Sequence, residues 1–190
     1  MSSEVSVVAA NTALTRAVVA DEHRYADQLR RERAQLPTTD RGIYRTGVDR
    51  RYLSASSTVV SALLTATREA FPGQHGGDGW LGVTVMVDTG TRVRIGDLFS
   101  NQRGISALAT AWRARIQASD AAPCLHIYRS AYTATAAHYH DFALTPHGLA
   151  VGVPEIEACY RLVAVIPYST LRPYLSNLGA RLVTSARRPL

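Results

Sequence analysis

His138-Tyr139-His140-Asp141 is the densest run of chemistry-bearing residues in the chain. An imidazole that titrates near neutrality beside a carboxylate is what general acid–base catalysis requires. Alternation at a strand entrance puts His138 and His140 on one face and Tyr139 and Asp141 on the other, so the His140 ring and the Asp141 carboxyl are expected to point apart. A His-x-His pair also resembles two metal ligands. No third ligand stands at metal-site spacing and there is no CxxC, so no metal and no other cofactor is expected. The structural alternative is a tyrosine turned into the core, with histidines exposed at the start of a strand.

A second group surrounds this one. Tyr128, Tyr132 and Tyr139 lie close in sequence to His126 and His138. Tyrosine lines a pocket with an apolar ring and a hydrogen-bonding tip, so this stretch is the expected wall of any ligand pocket. His75 sits in FPGQHGGDGW, where four glycines and a proline give either close backbone approach to a ligand or a plain flexible connection. Asp88 and Asp97 fit turn-stabilising roles. Glu155 and Glu157 share a face if their segment is extended. There is no G-x-S-x-G, no Walker loop and no dinucleotide fingerprint.

The elements that must position these residues follow from pattern. A short strand is expected at Val5–Val8, then a helix from Thr12 capped by Asn11 and stopped before Pro37. Ile43–Val48 and Tyr52–Glu69 read as β. Leu81–Val87, the turn Asp88–Thr91 and a return strand Arg92–Ile95 form a hairpin. Ile105, Leu108, Ala109, Trp112 and Ile116 fall on one face of a helix from Gly104 to Ala118. A second hairpin joins His140–Leu144 to Leu149–Val153 through Thr145-Pro146-His147-Gly148. Tyr160–Ile166 is an apolar strand, followed by a short helix that Ser169 or Thr170 could cap, running through Leu175. Residues from Ala180 onward are expected to be loose.

Composition bounds the rest. The 190 residues fit a single domain, and 46% hydrophobic content supports a real core. No apolar run reaches the roughly 18 residues of a membrane span, and the N-terminus lacks a secretory pattern, so the expected setting is cytoplasmic unless the chain is a processed secreted form. The charge is +6, and all 21 basic residues are arginine, a bias expected of a GC-rich genome. The arginines are dispersed and not interleaved with aromatics, which argues against nucleic acid as partner. Cys124 and Cys159 are either a disulfide in an exported protein or two buried thiols.

Four segments, in order, resemble one family. VTVMVDTGTRVRIGDLFS is similar to its strand–turn–strand followed by "D-L-F" and a helix. AHYHDFALTPHGLAVGV is similar to its central hairpin, ACYRLVAVIPYSTLRPYL to its closing strand and "I-P-Y" helix, and FPGQHGG to a relaxed form of its "G-G-A-H" loop. Together they resemble the RsiV-like extracytoplasmic domains, which include the lysozyme-sensing domains of anti-sigma factors and secreted mycobacterial immunogenic proteins. The resemblance implies an α+β fold, a twisted antiparallel sheet with helices packed on one face in a single domain. Residues 1–40 would add an N-terminal strand and helix, 41–176 the core, and 177–190 a tail. It further implies a binding domain for a protein or cell-envelope ligand. The competing reading is a small-molecule enzyme, a hydrolase or cyclase, with His138, Tyr139, His140 and Asp141 as catalytic residues and His75, His126, Tyr128 and Tyr132 as ligand-binding residues.

Overall fold

A computed structural model describes residues 3–35, 45–69, 78–127, 132–153, 159 and 162–188. Helix α1 (Ser3–Gln35) leads into strands β1 (Arg45–Ala55), β2 (Val59–Glu69) and β3 (Asp78–Met86). Helices α2 (Gln102–Gln117) and α3 (Ala122–Ile127) follow. Strands β4 (Asp141–Leu144), β5 (Leu149–Gly152) and β6 (Val163–Ile166) precede the short α4 (Tyr168–Leu171) and α5 (Asn177–Ala186). The strands form two antiparallel three-stranded sheets, β1-β2-β3 and β4-β5-β6. The molecule is thus a single α+β domain, with two sheets where the sequence led us to expect one.

The doubling follows from β2, which is buried on both faces. Val60, Ala62 and Leu64 pack with Val83 and Val85 against Ala10 and Leu14 of α1. On the opposite face, Leu63 and Trp80 meet Ala143 and Ala150 of the second sheet. The other face of that sheet carries Phe142, Leu144, Leu149, Val151 and Ile166 into the main core with Leu108 and Trp112 of α2. Helices therefore lie on opposite sides of the paired sheets. The sheets approach closely because β3 and β5 are small at the contact. A Cβ on Gly82 would strike the Asp141–Phe142 backbone, and one on Gly152 would strike the Trp80 ring.

Several local expectations change. Val5–Val8 is helical, not extended, and Asn11 lies inside α1. Ala10, Ala13, Leu14 and Ala17 make one stripe along the sheet, and that packing outweighs the modest helix penalty of β-branched residues. Ser56-Ser57-Thr58 divides the long β segment into β1 and β2, with the Ser56 hydroxyl accepting from Val59 N–H at 3.1 Å. The return strand after Gly90 shrinks to a bridge between Val85 and Arg92. Asp97 accepts from Arg94 N–H at 2.8 Å and draws Ile95–Leu98 into a 3-10 turn. Neither Ser169 nor Thr170 caps α4, whose N-cap is Pro167.

The expected loose tail is instead helix α5. Ser176 caps it by accepting from Gly179 N–H at 2.9 Å, while its own hydroxyl donates to Asp97 C=O at 2.7 Å. Leu182, Val183 and Ala186 are buried. Gly179 sits so close to the Leu98 carbonyl that no side chain fits there. The apolar spacing Leu178, Leu182, Val183 and Ala186 is the helical signal that a basic terminus obscured.

Candidate functional site

Helix α2 sets the site. Its N-cap Asn101 accepts from Arg103 N–H at 2.9 Å, and its apolar stripe turns Trp112 fully into the core. The Trp112 indole donates to Val151 C=O at 3.1 Å, joining helix to sheet. Tyr132 and Tyr139 flank the indole with ring centroids at 5.3 and 6.0 Å. The Tyr139 hydroxyl donates to Tyr132 C=O at 3.1 Å. Arg113, one residue past Trp112, donates to the same carbonyl. Burial raises the pKa of both phenols above the usual tyrosine value, which keeps them protonated.

Beside this aromatic wall is an open cleft of about 440 Å³, lined by Arg113, Gln117, Leu125, His126 and Tyr132. The Tyr132 hydroxyl is buried and has no hydrogen-bond partner among the described residues. Helix α3 supplies Leu125 and His126. Its Cys124 is joined to Cys159 by a disulfide, with the Cα atoms 5.8 Å apart. The sequence left the thiols open between pairing and burial; the fold pairs them. The bond pins a six-residue helix that is too short to hold its place by propensity alone.

The remaining candidates are placed differently. The His138 ring meets Thr133 through Nδ1, at 3.1 Å to the hydroxyl and 3.0 Å to the carbonyl. Tyr139 is buried. His140 and Asp141 do come together, against the alternation argument, with Nε2 3.3 Å from Oδ2. The reason is the 3-10 turn Ala136–His138. Strand β4 begins only at Asp141, so strand geometry does not apply to His138–His140. His140 Nδ1 lies 2.5 Å from Ala137 C=O. The Asp141 carboxyl is 7% exposed, against 55% for the His140 side chain.

Asp141 works at the seam between the sheets. Its Oδ1 accepts from Gly82 N–H at 2.8 Å, while Arg92 donates to Gly82 C=O at 2.8 Å. Carboxylate and guanidinium together satisfy both backbone groups of Gly82. One step along, Leu144 N–H of the edge strand β4 donates to the Ser61 hydroxyl at 2.8 Å. Burial pushes the Asp141 carboxyl above the usual carboxylate range, opposed by His140, by the Gly82 N–H and by Arg92.

The fold thus brings His126 and Tyr132 to one cleft with Tyr139 behind it, and places His138 and His140 in the separate segment that leads into Asp141 at the start of β4. His75 and Tyr128, and also Glu155 and Glu157, lie outside the described residues. Arg113 and Gln117 were missed by sequence reasoning. Their signal was adjacency to the core-facing stripe of α2, since Arg113 directly follows Trp112. Among the described residues, no three His, Cys, Asp or Glu side chains converge as metal ligands. The cleft offers a guanidinium, an amide and an imidazole, with the Tyr132 ring in its wall. Such a set recognises polar or anionic groups by hydrogen bonding.

No family model and no curated protein matches the chain. Solved structures do. A DUF3298 family protein from Pseudomonas aeruginosa superposes with a TM-score of 0.54 at 12% identity, covering 70% of this chain and 63% of that one. A DUF3298 family member from Bacteroides fragilis gives 0.57 at 14% identity, covering 76% and 58%. This chain therefore spans about three fifths of the length of each. At these identities the likeness to the DUF3298 structures is one of fold, over 70% and 76% of this chain.

Proposed function

We propose that the chain is a non-catalytic binding domain, related to the RsiV-like extracytoplasmic domains, which recognises a protein or cell-envelope ligand through the Arg113–His126–Tyr132 cleft. One observation carries this reading. Each of His138, His140 and Asp141 is engaged in contacts that hold its own segment or the sheet seam, whereas the open cleft nearby presents groups suited to holding a ligand. The Cys124–Cys159 bond agrees with an oxidising compartment. Among the described residues, no helix is long and apolar enough to cross a membrane.

The test is calorimetric titration of the oxidised protein with lysozyme and with soluble muropeptides. Saturable binding of one of them is expected. It should weaken about tenfold, roughly 1.4 kcal/mol, in the exposed-residue variant Gln117→Glu/His126→Ala while the melting temperature holds. No binding of either ligand, or binding indifferent to that variant, removes the cleft as the site.

The His140–Asp141 contact favours a second reading, a small-molecule hydrolase or cyclase. Its experiment is turnover of chromogenic esters and phosphodiesters by wild type and His140→Ala. Turnover that disappears with the imidazole would replace the binding reading.

A further inference from the structure

The C-terminal third of the fold builds a second surface. An open groove of about 1020 Å³ runs between the β4–β5 turn, α4 and α5. Pro167, Leu175 and Val183 give it apolar lining, and Ser169 and Thr184 contribute hydroxyls. Arg172, Arg187 and Arg188 line it as well, and all three are exposed. An adjoining hollow shares Ala180, Thr184 and Arg188 with the groove and adds Arg181. Among the described residues, none of these four arginines takes part in an ion pair with a carboxylate. Sequence composition deepens the asymmetry: residues 158–190 contain five arginines and no Asp or Glu.

We infer that this groove is a docking site for an extended, acidic peptide segment of a partner protein. Charge complementarity names the partner's sign, because exposed guanidinium groups attract carboxylates, which they bind with two parallel hydrogen bonds. The apolar lining names its class. A peptide alternating acidic and aliphatic residues fills both the rim and the floor, whereas an inorganic anion leaves the floor empty. Nucleic acid fits less well. Tyr168, the tyrosine in the lining, is buried, and its hydroxyl donates to Thr145 C=O at 2.8 Å while accepting from Thr145 N–H at 3.1 Å. It is therefore not a free stacking platform for bases. A membrane surface would meet a flat basic patch more readily than a groove.

The inference names a partner class for the binding reading but stands on different residues, so one set of samples separates them. Full-length oxidised protein, Arg172→Glu/Arg187→Glu, and Gln117→Glu/His126→Ala are titrated by fluorescence anisotropy with a labelled Glu/Leu peptide. A Lys/Leu peptide, a single-stranded DNA oligonucleotide and phosphatidylglycerol vesicles serve as competing probes. The expected result is saturable binding of the Glu/Leu peptide alone. That binding should weaken with added salt, fall about tenfold or more in the arginine variant and stay unchanged in the cleft variant. Because both arginines are exposed, the variant should keep its melting temperature. Equal binding by wild type and arginine variant overturns the inference, as does a preference for DNA or vesicles. Loss of lysozyme or muropeptide binding in the cleft variant, with peptide binding intact, leaves the two surfaces independent.

Discussion

Asp141 shows how a residue that looks catalytic can be a joint. Its carboxyl is nearly dry and closes the seam where β3 meets β4. Asp141→Ala leaves the Gly82 N–H without a partner, and we expect a loss of about 1–3 kcal/mol in urea denaturation at neutral pH. Asp141→Asn keeps an acceptor at the same place and should cost much less. The pH dependence separates charge from geometry. The native carboxyl holds its proton more tightly than the unfolded chain, whose value is near 3.8. The native state therefore binds more protons between the two values. The stability this carboxyl contributes is complete below the unfolded value and declines as pH rises through the folded one. Asp141→Asn lacks this decline, so the stability difference should shift toward the variant as pH rises from about 3 to about 7. Denaturation midpoints across that range are the check; a shift in the opposite sense would mean the carboxylate is stabilised, not penalised, by its site.

At the scale of elements, α5 is the informative case. It is joined to the 3-10 turn at Ile95–Leu98 by the Ser176 cap and by close contact at Gly179. The Ser56 and Ser185 hydroxyls, 2.8 Å apart, tie its far end to the β1–β2 turn. A tail that merely followed the domain would tolerate change. We expect Ser176→Ala to cost about 1 kcal/mol and Leu182→Ala about 2–5 kcal/mol, since Leu182 is fully buried. Chemical denaturation of both variants is the measurement. Near-wild-type stability of Leu182→Ala would restore the loose-tail picture.

For the whole molecule, the disulfide closes a loop of 35 residues. Chain-entropy arguments give such a closure roughly 4 kcal/mol against the unfolded ensemble. Reduction should lower the guanidinium midpoint accordingly and loosen α3, which carries His126 and Leu125 in the cleft wall. Denaturation with and without reductant measures the first effect. Ligand titration of the reduced protein, kept well below its unfolding midpoint, measures the second. A midpoint insensitive to reductant would show that the bond contributes nothing to stability.

The sequence by itself determined the α+β class, the helix carrying Trp112 and the β4–β5 hairpin. Each rests on periodicity or turn chemistry confined to a few consecutive residues. Tertiary structure decided the rest. It split the strands into two sheets, because β2 is apolar on both faces and each face needs a cover. It ordered α5, because Leu182, Val183 and Ala186 gain more from burial than terminal position would indicate, and it made Val5–Val8 part of α1, whose Ala10–Leu14 stripe packs on the sheet. It turned His140 onto Asp141, because a 3-10 turn cancels strand alternation. It also gathered Arg172, Arg187 and Arg188 along one groove. Spacing in a chain records what lies on one element's face, whereas which faces meet is set by burial across elements far apart in sequence.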